Sequence, residues 1–432
     1  NFPDGLTKIT ADVEWPECGN GPVDPVESKA YHVSGSYAGY YSPYPLSEQD
    51  FLVSANRNGK FVLYLMDVDG NRELVYEGSQ NILHAMPVRP RSVPPVLVDR
   101  VAWPTVQQRQ APKPGVLFSG NVYEGAPEVL QGKARYLRVL NIEPKTYTYW
   151  HKRPALSTGP VVSLVQSEGV KRILGTVPIE PDGSVAFQAP AGQALHFQLL
   201  DEHFRALQTM RSFTGVMPGE ERGCLGCHES HSRTPQYPTN ILALASAPRT
   251  ITPPPWGEES VSYPRFVRPV LDQYCAQCHA GDGEARAVLD LTARPGFLDF
   301  DQTYMLLTGN PSWGAPYQKP EDPPPGFGIA NMIMVEGYDT RDPAAYVTPP
   351  PMTYLSYNSR LIDIAGSGQH YGVQVDPVSL QKLIAWVDTM CPYLGAEEVR
   401  EIEDPVFQGV DWLSVRPRIK TAPTVVRPGP VD

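Results

Sequence analysis

"GCLGCHESH" (residues 223–231) sets two cysteines two residues apart, a histidine directly after the second, and another histidine three residues on. Its first motif, "CLGCH" (224–228), is echoed by "CAQCH" (275–279). A Cys-x-x-Cys-His run supplies two thiols spaced to meet the two vinyl groups of a haem, and an imidazole placed to reach its iron. A zinc ribbon is the rival reading, but its cysteine pairs stand about 15–20 residues apart. Here a longer stretch with its own proline-rich segment intervenes. A thioredoxin-like pair would sit in a βαβ pattern, and none is visible. The two motifs therefore predict two covalently attached c-type haems, on Cys224 and Cys227 with His228, and on Cys275 and Cys278 with His279. Thioether attachment takes place outside the cytoplasm, so a periplasmic or extracellular protein is expected.

The second motif has the surroundings of a class I cytochrome c domain, predicted over 258–395. In "PRFVRPVLDQYC", Phe266, Val267, Val270, Leu271 and Tyr274 fall on one helical face that leads into the motif. Asp376 and Pro377 read as an N-cap and first helical residue, and Leu380, Leu383, Ile384 and Val387 follow as an apolar stripe that ends before Pro392. Between the helices, "KPEDPPPGFG" and "TPPPM" are coil of the sort that wraps a cofactor. His370, in "GSGQHYG", is the one histidine between Cys278 and the chain end other than His279, and is the first candidate for the sixth iron ligand. Met305, Met332, Met334 and Met352 are the thioether alternatives, Met352 foremost, and a solvated loop histidine is the bland reading of His370.

The first motif has no helix before it, and Pro235 and Pro238 forbid a long one after it. It is expected in a loop at a domain boundary, where small-molecule pockets tend to form. Candidate sixth ligands there are His203 and His84, which lie outside confident strands, then His151 and His196. His196 alternates with Leu195 and Phe197, which puts it on the polar face of its strand. His231 reads as a ligand, a neighbour of one, or a solvent-facing loop residue.

The rest of the chain predicts a mainly β protein with a small α domain. Its 47 prolines among 432 residues exclude a long-helix architecture. Residues 1–86 read as a partial β-propeller blade, on the hairpin signals Asn58-Gly59 and Asp69-Gly70 in "FLVSANRNGKFVLYLMDVDGNRELVYEG". One blade cannot stand alone, so further blades upstream are expected. Residues 87–114 form a proline-rich linker, 115–246 a β-sandwich ending in the first haem motif, 247–257 a second linker, and 396–432 an extended tail. Within the sandwich, Val185 and Phe187, the turn "PAG", and Leu195, Phe197 and Leu199 predict a hairpin. Net charge is −11 with no basic block, which argues against nucleic acid as a partner, and no apolar run is long enough for a transmembrane segment. The opening "NFPDGLTKIT" has no leader pattern, so a leader has been removed or the chain begins inside a larger protein. Cys18 and Cys391 are left over and are candidates for a disulfide.

"VPIEPDGSVAFQAPAG…MRSFTGVMPGEERGCLGCHE", "VSYPRFVRPVLDQYCAQCH" and "LIAWVDTMCPYLG" resemble the alpha subunit of hydrazine synthase and its relatives, from about residue 40 to the C-terminus. The resemblance implies an N-terminal propeller, a middle β-domain with a first haem, and a cytochrome-like domain with a second. It further implies that Cys224, Cys227 and His228 hold a catalytic haem that joins ammonia to a hydroxylamine-level nitrogen compound. Cys275, Cys278, His279 and His370 would then hold a bis-histidine relay. The chain departs from the family pattern at the position four after the first motif histidine, where an iron-ligating tyrosine gives way to Ser232; the next tyrosine is Tyr237. In the family the motif histidine turns to a zinc ion, at a site that also draws on the propeller.

The reading that results is an extracytoplasmic dihaem cytochrome that transfers electrons as a subunit of a larger redox assembly, with other redox proteins or subunits as partners. The alternative is an oxidoreductase with an open haem at Cys224–His228 acting on a small nitrogen or oxygen compound. A third reading makes the chain chiefly a structural docking subunit.

Overall fold

The computed structural model describes residues 9–10, 39–90, 95, 98–144, 162–163, 169–226, 239–296, 300–309, 321–333, 349–400 and 418–421. The chain divides into two compact units, one of residues 1–98 and 338–347, the other of 99–337 and 348–432.

In the first unit, strands β1 (Tyr40–Pro45), β2 (Asp50–Arg57), β3 (Lys60–Asp67) and β4 (Arg72–Tyr76) form an antiparallel meander in that order. Both hairpin signals work as expected from their chemistry. Asn58 and Gly59 take positive φ (52° and 80°) between the paired residues Arg57 and Lys60. Asp67 Oδ1 accepts from the amides of Asp69 and Asn71, which closes the next turn. Val53, Ala55, Val62 and Met66 bury one face, while β4 is exposed along its length.

The second unit is built in three layers. One sheet has the order β11 (Glu221–Cys224), β5 (Gly115–Ser119), β8 (Val185–Ala189), with β11 parallel to β5. The other is antiparallel, in the order β10 (Ala206–Thr209), β9 (Leu195–Leu200), β6 (Tyr136–Ile142), β7 (Lys171–Pro178). Leu117, Val185 and Phe187 of the first sheet share a core with Leu137, Val139, Val177, Leu195 and Leu199 of the second. The other face of the second sheet, through Leu140, Ile173, Leu200 and Ala206, shares a core with the helices. A sheet covered on both sides needs apolar residues on both faces, so clean polar alternation is lost.

That layering corrects the expected hairpin. β8 pairs with β5, and β9 pairs with β6 and β10, so "PAG" carries the chain from one sheet to the other. Alternation identifies a strand but not its partner. The proline-rich stretch 247–257 is fastened along the edges of both sheets. Thr252 exchanges two 2.9 Å backbone hydrogen bonds with Thr176 of β7, and Arg249 exchanges bonds of 2.9 and 3.0 Å with Gln188 and Ala186 of β8. Gly175, at φ 141°, permits this approach, since a Cβ there would lie 2.0 Å from the Thr252 carbonyl oxygen.

The helical layer holds α1 (Arg268–Tyr274), α2 (Ala276–His279), α3 (Glu284–Val288), α4 (Gln302–Thr308), α5 (Arg360–Ser367), α6 (Pro377–Asp388) and α7 (Ala396–Arg400). A π-helical turn at Tyr263–Val267 precedes α1. Pro269 has no N–H to donate to Arg265, so an α-helix cannot run unbroken through "PRFVRPV". Asp376 caps α6 as expected, accepting from the amides of Val378 and Ser379. Cys391 is a free, fully buried thiol, and Cys18 lies outside the described residues.

One buried ion pair ties the middle sheet to the helices. Arg138 of β6 reaches Asp388, the last residue of α6, at 2.7 Å. Arg138 also donates to Gln198 Oε1 (2.9 Å) and to the Phe204 carbonyl (2.8 Å), and Gln198 donates to the Asp388 carbonyl (2.7 Å). Replacing Arg138 by Met strands a buried carboxylate and is expected to lower stability by about 3–5 kcal/mol in urea unfolding. A double variant, Arg138→Met with Asp388→Leu, is expected to regain most of that loss.

Candidate redox sites

The "CAQCH" motif is one helical turn. The amides of Cys278 and His279 both donate to the Cys275 carbonyl, at 3.2 and 3.0 Å. Residues three and four apart share a helix face, so Cys275, Cys278 and His279 are presented together. His279 Nδ1 lies 2.8 Å from the Leu289 carbonyl oxygen and 3.1 Å from that of Ala285. A carbonyl only accepts, so Nδ1 bears a proton, and in the neutral ring the lone pair is on Nε2, the arrangement of a metal-ligating imidazole. Burial, with Cys278 beside it, pushes the Cys275 thiol up to about 11, so it is protonated at neutral pH.

His370 faces His279 with ring centroids 6.1 Å apart and planes 11° from parallel. Two metal–nitrogen bonds of about 2 Å end to end, with the two half-widths of the rings, come to about 6 Å. The separation of the two rings equals that of two imidazoles held end to end on one metal ion. Gly368 and Tyr371 take left-handed conformations on either side of His370 (φ 68° and 49°), and the Val373 amide closes the turn on the His370 carbonyl at 3.0 Å. Tyr274, just before Cys275, donates to Asp376 Oδ2 at 2.9 Å and links the two ligand-bearing segments. The thioether alternatives fall in both cores, and Cys275 packs against the helical one. Met352 packs on the core between the sheets, Met305 and Met332 are buried in the helical core, and Met334 is outside the described residues.

Cys224 ends β11, opposite Ser119 of β5. It lines a cavity of about 540 Å³ between the sheets, together with Leu117, Phe187, Phe197 and Leu199, and with Gln208, Thr209 and Ser212 on the rim side. Among the described residues, no charged side chain lines it. Its volume is that of a small-molecule or cofactor pocket. Cys227, His228, His231, Ser232 and Tyr237 lie outside the described residues, as does His151.

The other histidine candidates part company here. His203 is exposed in the turn after β9, 3.7 Å from the Glu202 carboxylate, and is not among the cavity residues. His84 is exposed in the first unit with φ 57°. His196 is on the polar side of β9, but that side is buried. Its Nδ1 lies 3.0 Å from the Ser212 carbonyl oxygen and its Nε2 lies 3.0 Å from Thr209 Oγ1. Sequence reasoning passed over Arg138 and Asp388. Their signal was a charge embedded in an apolar run, "YLRVLNI" and "LIAWVD". Among the described residues, no three His, Cys, Asp or Glu side chains cluster closely enough to hold a metal ion.

Comparison with known proteins fits this architecture. Residues 132–229 match the family model of the hydrazine synthase alpha subunit middle domain. The fold is similar to a solved chain of Kuenenia stuttgartiensis hydrazine synthase, with a TM-score of 0.54 at 17% identity over 84% of this chain. The matched part is 56% of that chain. No curated protein matches the sequence. The family match is confined to the middle domain, and the likeness to the solved chain is one of fold.

Hydrogen bonds from Ser379, then from the Tyr274 hydroxyl, hold the Asp376 carboxyl down at about 2. A depressed acid contributes stability that is present above its ordinary pKa and lost as pH falls through the folded value. The α6 cap and the Tyr274 link are therefore expected to fail between about pH 4 and 2. Trp386, within α6, reports this by fluorescence, and Asp376→Ala is expected to remove that part of the acid transition.

Proposed function

We propose that the chain is an extracytoplasmic redox protein carrying two c-type haems, and that the C-terminal one is an electron relay. The observation that carries this reading is the His279–His370 pair, 6.1 Å apart and nearly parallel, with Nδ1 of His279 already engaged. Cys275 and Cys278 would supply the thioether links, and His279 and His370 the axial imidazoles. Bound there, haem supplies one-electron redox chemistry. The protein holds both ligands and fixes the tautomer of His279. Two imidazoles set a lower potential than a histidine–methionine pair.

Cys224, with Cys227 and His228, would attach the first haem at the cavity between the sheets. With Ser232 in place of the family's tyrosine, His228 is the expected proximal ligand. The family description, an alpha subunit, supports a partner subunit or redox protein as the recipient of electrons. The meander of the first unit is read as one blade of a propeller, and 258–395 as a cytochrome c-like domain. Among the described residues no helix is long and apolar enough to cross a membrane.

Two haems per chain are expected by absorbance after alkaline pyridine treatment. Removing Cys224 and Cys227 should leave one, and so should removing Cys275 and Cys278. His370→Ala is expected to convert the second haem from low-spin to a form that binds carbon monoxide. Full metal content as zinc with no haem would end this reading.

The cavity favours a second reading, in which the first haem has an open face that takes a small substrate, since the described polar groups lining it are neutral. Carbon monoxide added to the reduced wild-type protein distinguishes the two. Rapid stoichiometric binding at one haem supports the enzyme, and none supports a relay closed at both centres.

A further inference from the structure

His370 sits in a loop that runs from Ser367, the last residue of α5, to Asp376, which caps α6. Burial does little to hold this loop in place. Tyr371 is 93% exposed, Gln369, Gly372 and Gln374 are exposed as well, and Val375 packs only partly against the helical core. The hydrogen bonds within the loop are local. The Gln369 amide donates to Ser367 Oγ at 3.2 Å, the Tyr371 amide to the Gln369 carbonyl at 3.1 Å, and the Val373 amide to the His370 carbonyl at 3.0 Å. Gly368 and Gly372 take positive φ (68° and 76°), and a glycine that is not fastened has many other conformations open to it.

One hydrogen bond leaves the loop. The Tyr274 hydroxyl donates to Asp376 Oδ2 at 2.9 Å, and among the described residues no other hydrogen bond joins residues 367–376 to a distant part of the chain. Tyr274 is a firm anchor. It ends α1, packs with Cys275 against the helical core, and directly precedes the motif turn that carries His279. At the other end, Asp376 Oδ1 accepts from the amides of Val378 and Ser379 at 3.0 and 3.1 Å. Pro377 and Val378 are exposed, and the buried residues of α6 begin at Leu383. The first turn of α6 therefore leans on these bonds more than on the core.

We propose that Tyr274 is a positioning residue for the second redox centre: its hydroxyl, acting through Asp376, holds the loop closed so that the His370 ring stays opposite that of His279. The inference rests on the functional reading above, in which these two imidazoles are axial ligands. The rings lie 6.1 Å apart with planes 11° from parallel, and a swing of the loop would lose both values. For His370 to leave the iron the loop must open, and opening breaks the Tyr274–Asp376 bond as well. A hydrogen bond to a charged group is worth about tenfold to a hundredfold in such an equilibrium. The motif turn and the His370 loop are far apart in sequence, and this bond makes them move as one.

The test is the rate at which saturating carbon monoxide binds the reduced two-haem protein, with His370→Ala marking the signal of the second haem. Carbon monoxide enters that haem only after His370 leaves, so the rate reads its release. Tyr274→Phe, which removes the hydroxyl and keeps the ring, is expected to raise the rate about tenfold or more. Asp376→Ser keeps a capping oxygen for the Val378 and Ser379 amides but does not reach Tyr274, and is expected to act alike. The double variant is expected to be no faster than either single one, because both remove the same bond. Fluorescence of the buried Trp386, expected to stay native in each variant, separates release of a ligand from loss of the fold. Should Tyr274→Phe fold poorly, Asp376→Ser tests the same bond from its other end. A wild-type rate in a folded variant, or effects of the two substitutions that add, overturns this inference alone. A second haem whose spectrum and carbon monoxide binding are unchanged in His370→Ala overturns the functional reading and this inference with it.

Discussion

The second unit depends on a pair of charges that water has been excluded from. Asp388 ends α6, where the helix dipole disfavours a carboxylate, and burial pushes its pKa up. Arg138 and the Ser356 amide oppose that shift, the amide through a 3.0 Å bond to Oδ1. A buried pair of this kind gains little net stability over an apolar substitute, but it is costly to satisfy in any other arrangement. With Gln198 and the Phe204 carbonyl included, the polar groups of this set find partners only when β6, β9 and the end of α6 meet in one register. The pair therefore specifies how the sheet and the helices dock.

Docking in that register puts Cys224 and the second cysteine motif on different layers. Cys275, Cys278 and His279 belong to the helical layer, and Cys224 to the outer sheet, with the four-stranded sheet between them. Each site then acquires its own character from its surroundings. The helical site brings two imidazoles to face each other, with their planes nearly parallel. The sheet site opens on a cavity whose described lining is apolar or neutral, and the buried His196 hydrogen-bonds two of its lining residues, Thr209 and Ser212. Under the proposed reading, the first arrangement suits relay and the second suits a small ligand.

The likeness to hydrazine synthase bears on fold more than on chemistry. The family match falls on the middle domain, and the shared fold covers 56% of the solved chain. Ser232 departs from the family's tyrosine at the first motif. The residues that give this chain's sites their character include several that the motif does not contain, notably His196, Thr209 and Arg138.

Local chemistry was legible from the sequence. The two Cys-x-x-Cys-His runs, the Asn-Gly turn, the Asp376 cap and the apolar stripe of α6 each depend on contacts within a few residues, and composition and spacing report such contacts directly. His370 could be singled out as the one remaining histidine in its segment, and the structure sets its ring 6.1 Å from that of His279. What paired with what was decided only by tertiary structure. β8 and β9 alternate as strands whether or not they meet, and a proline-rich segment reads as a linker whether it hangs free or binds a sheet edge. The burial of His196, the Arg138–Asp388 pair and the cavity beside Cys224 arise where layers distant in sequence close on one another. Burial is a property of that closure, and no local pattern encodes which face of a strand it will cover.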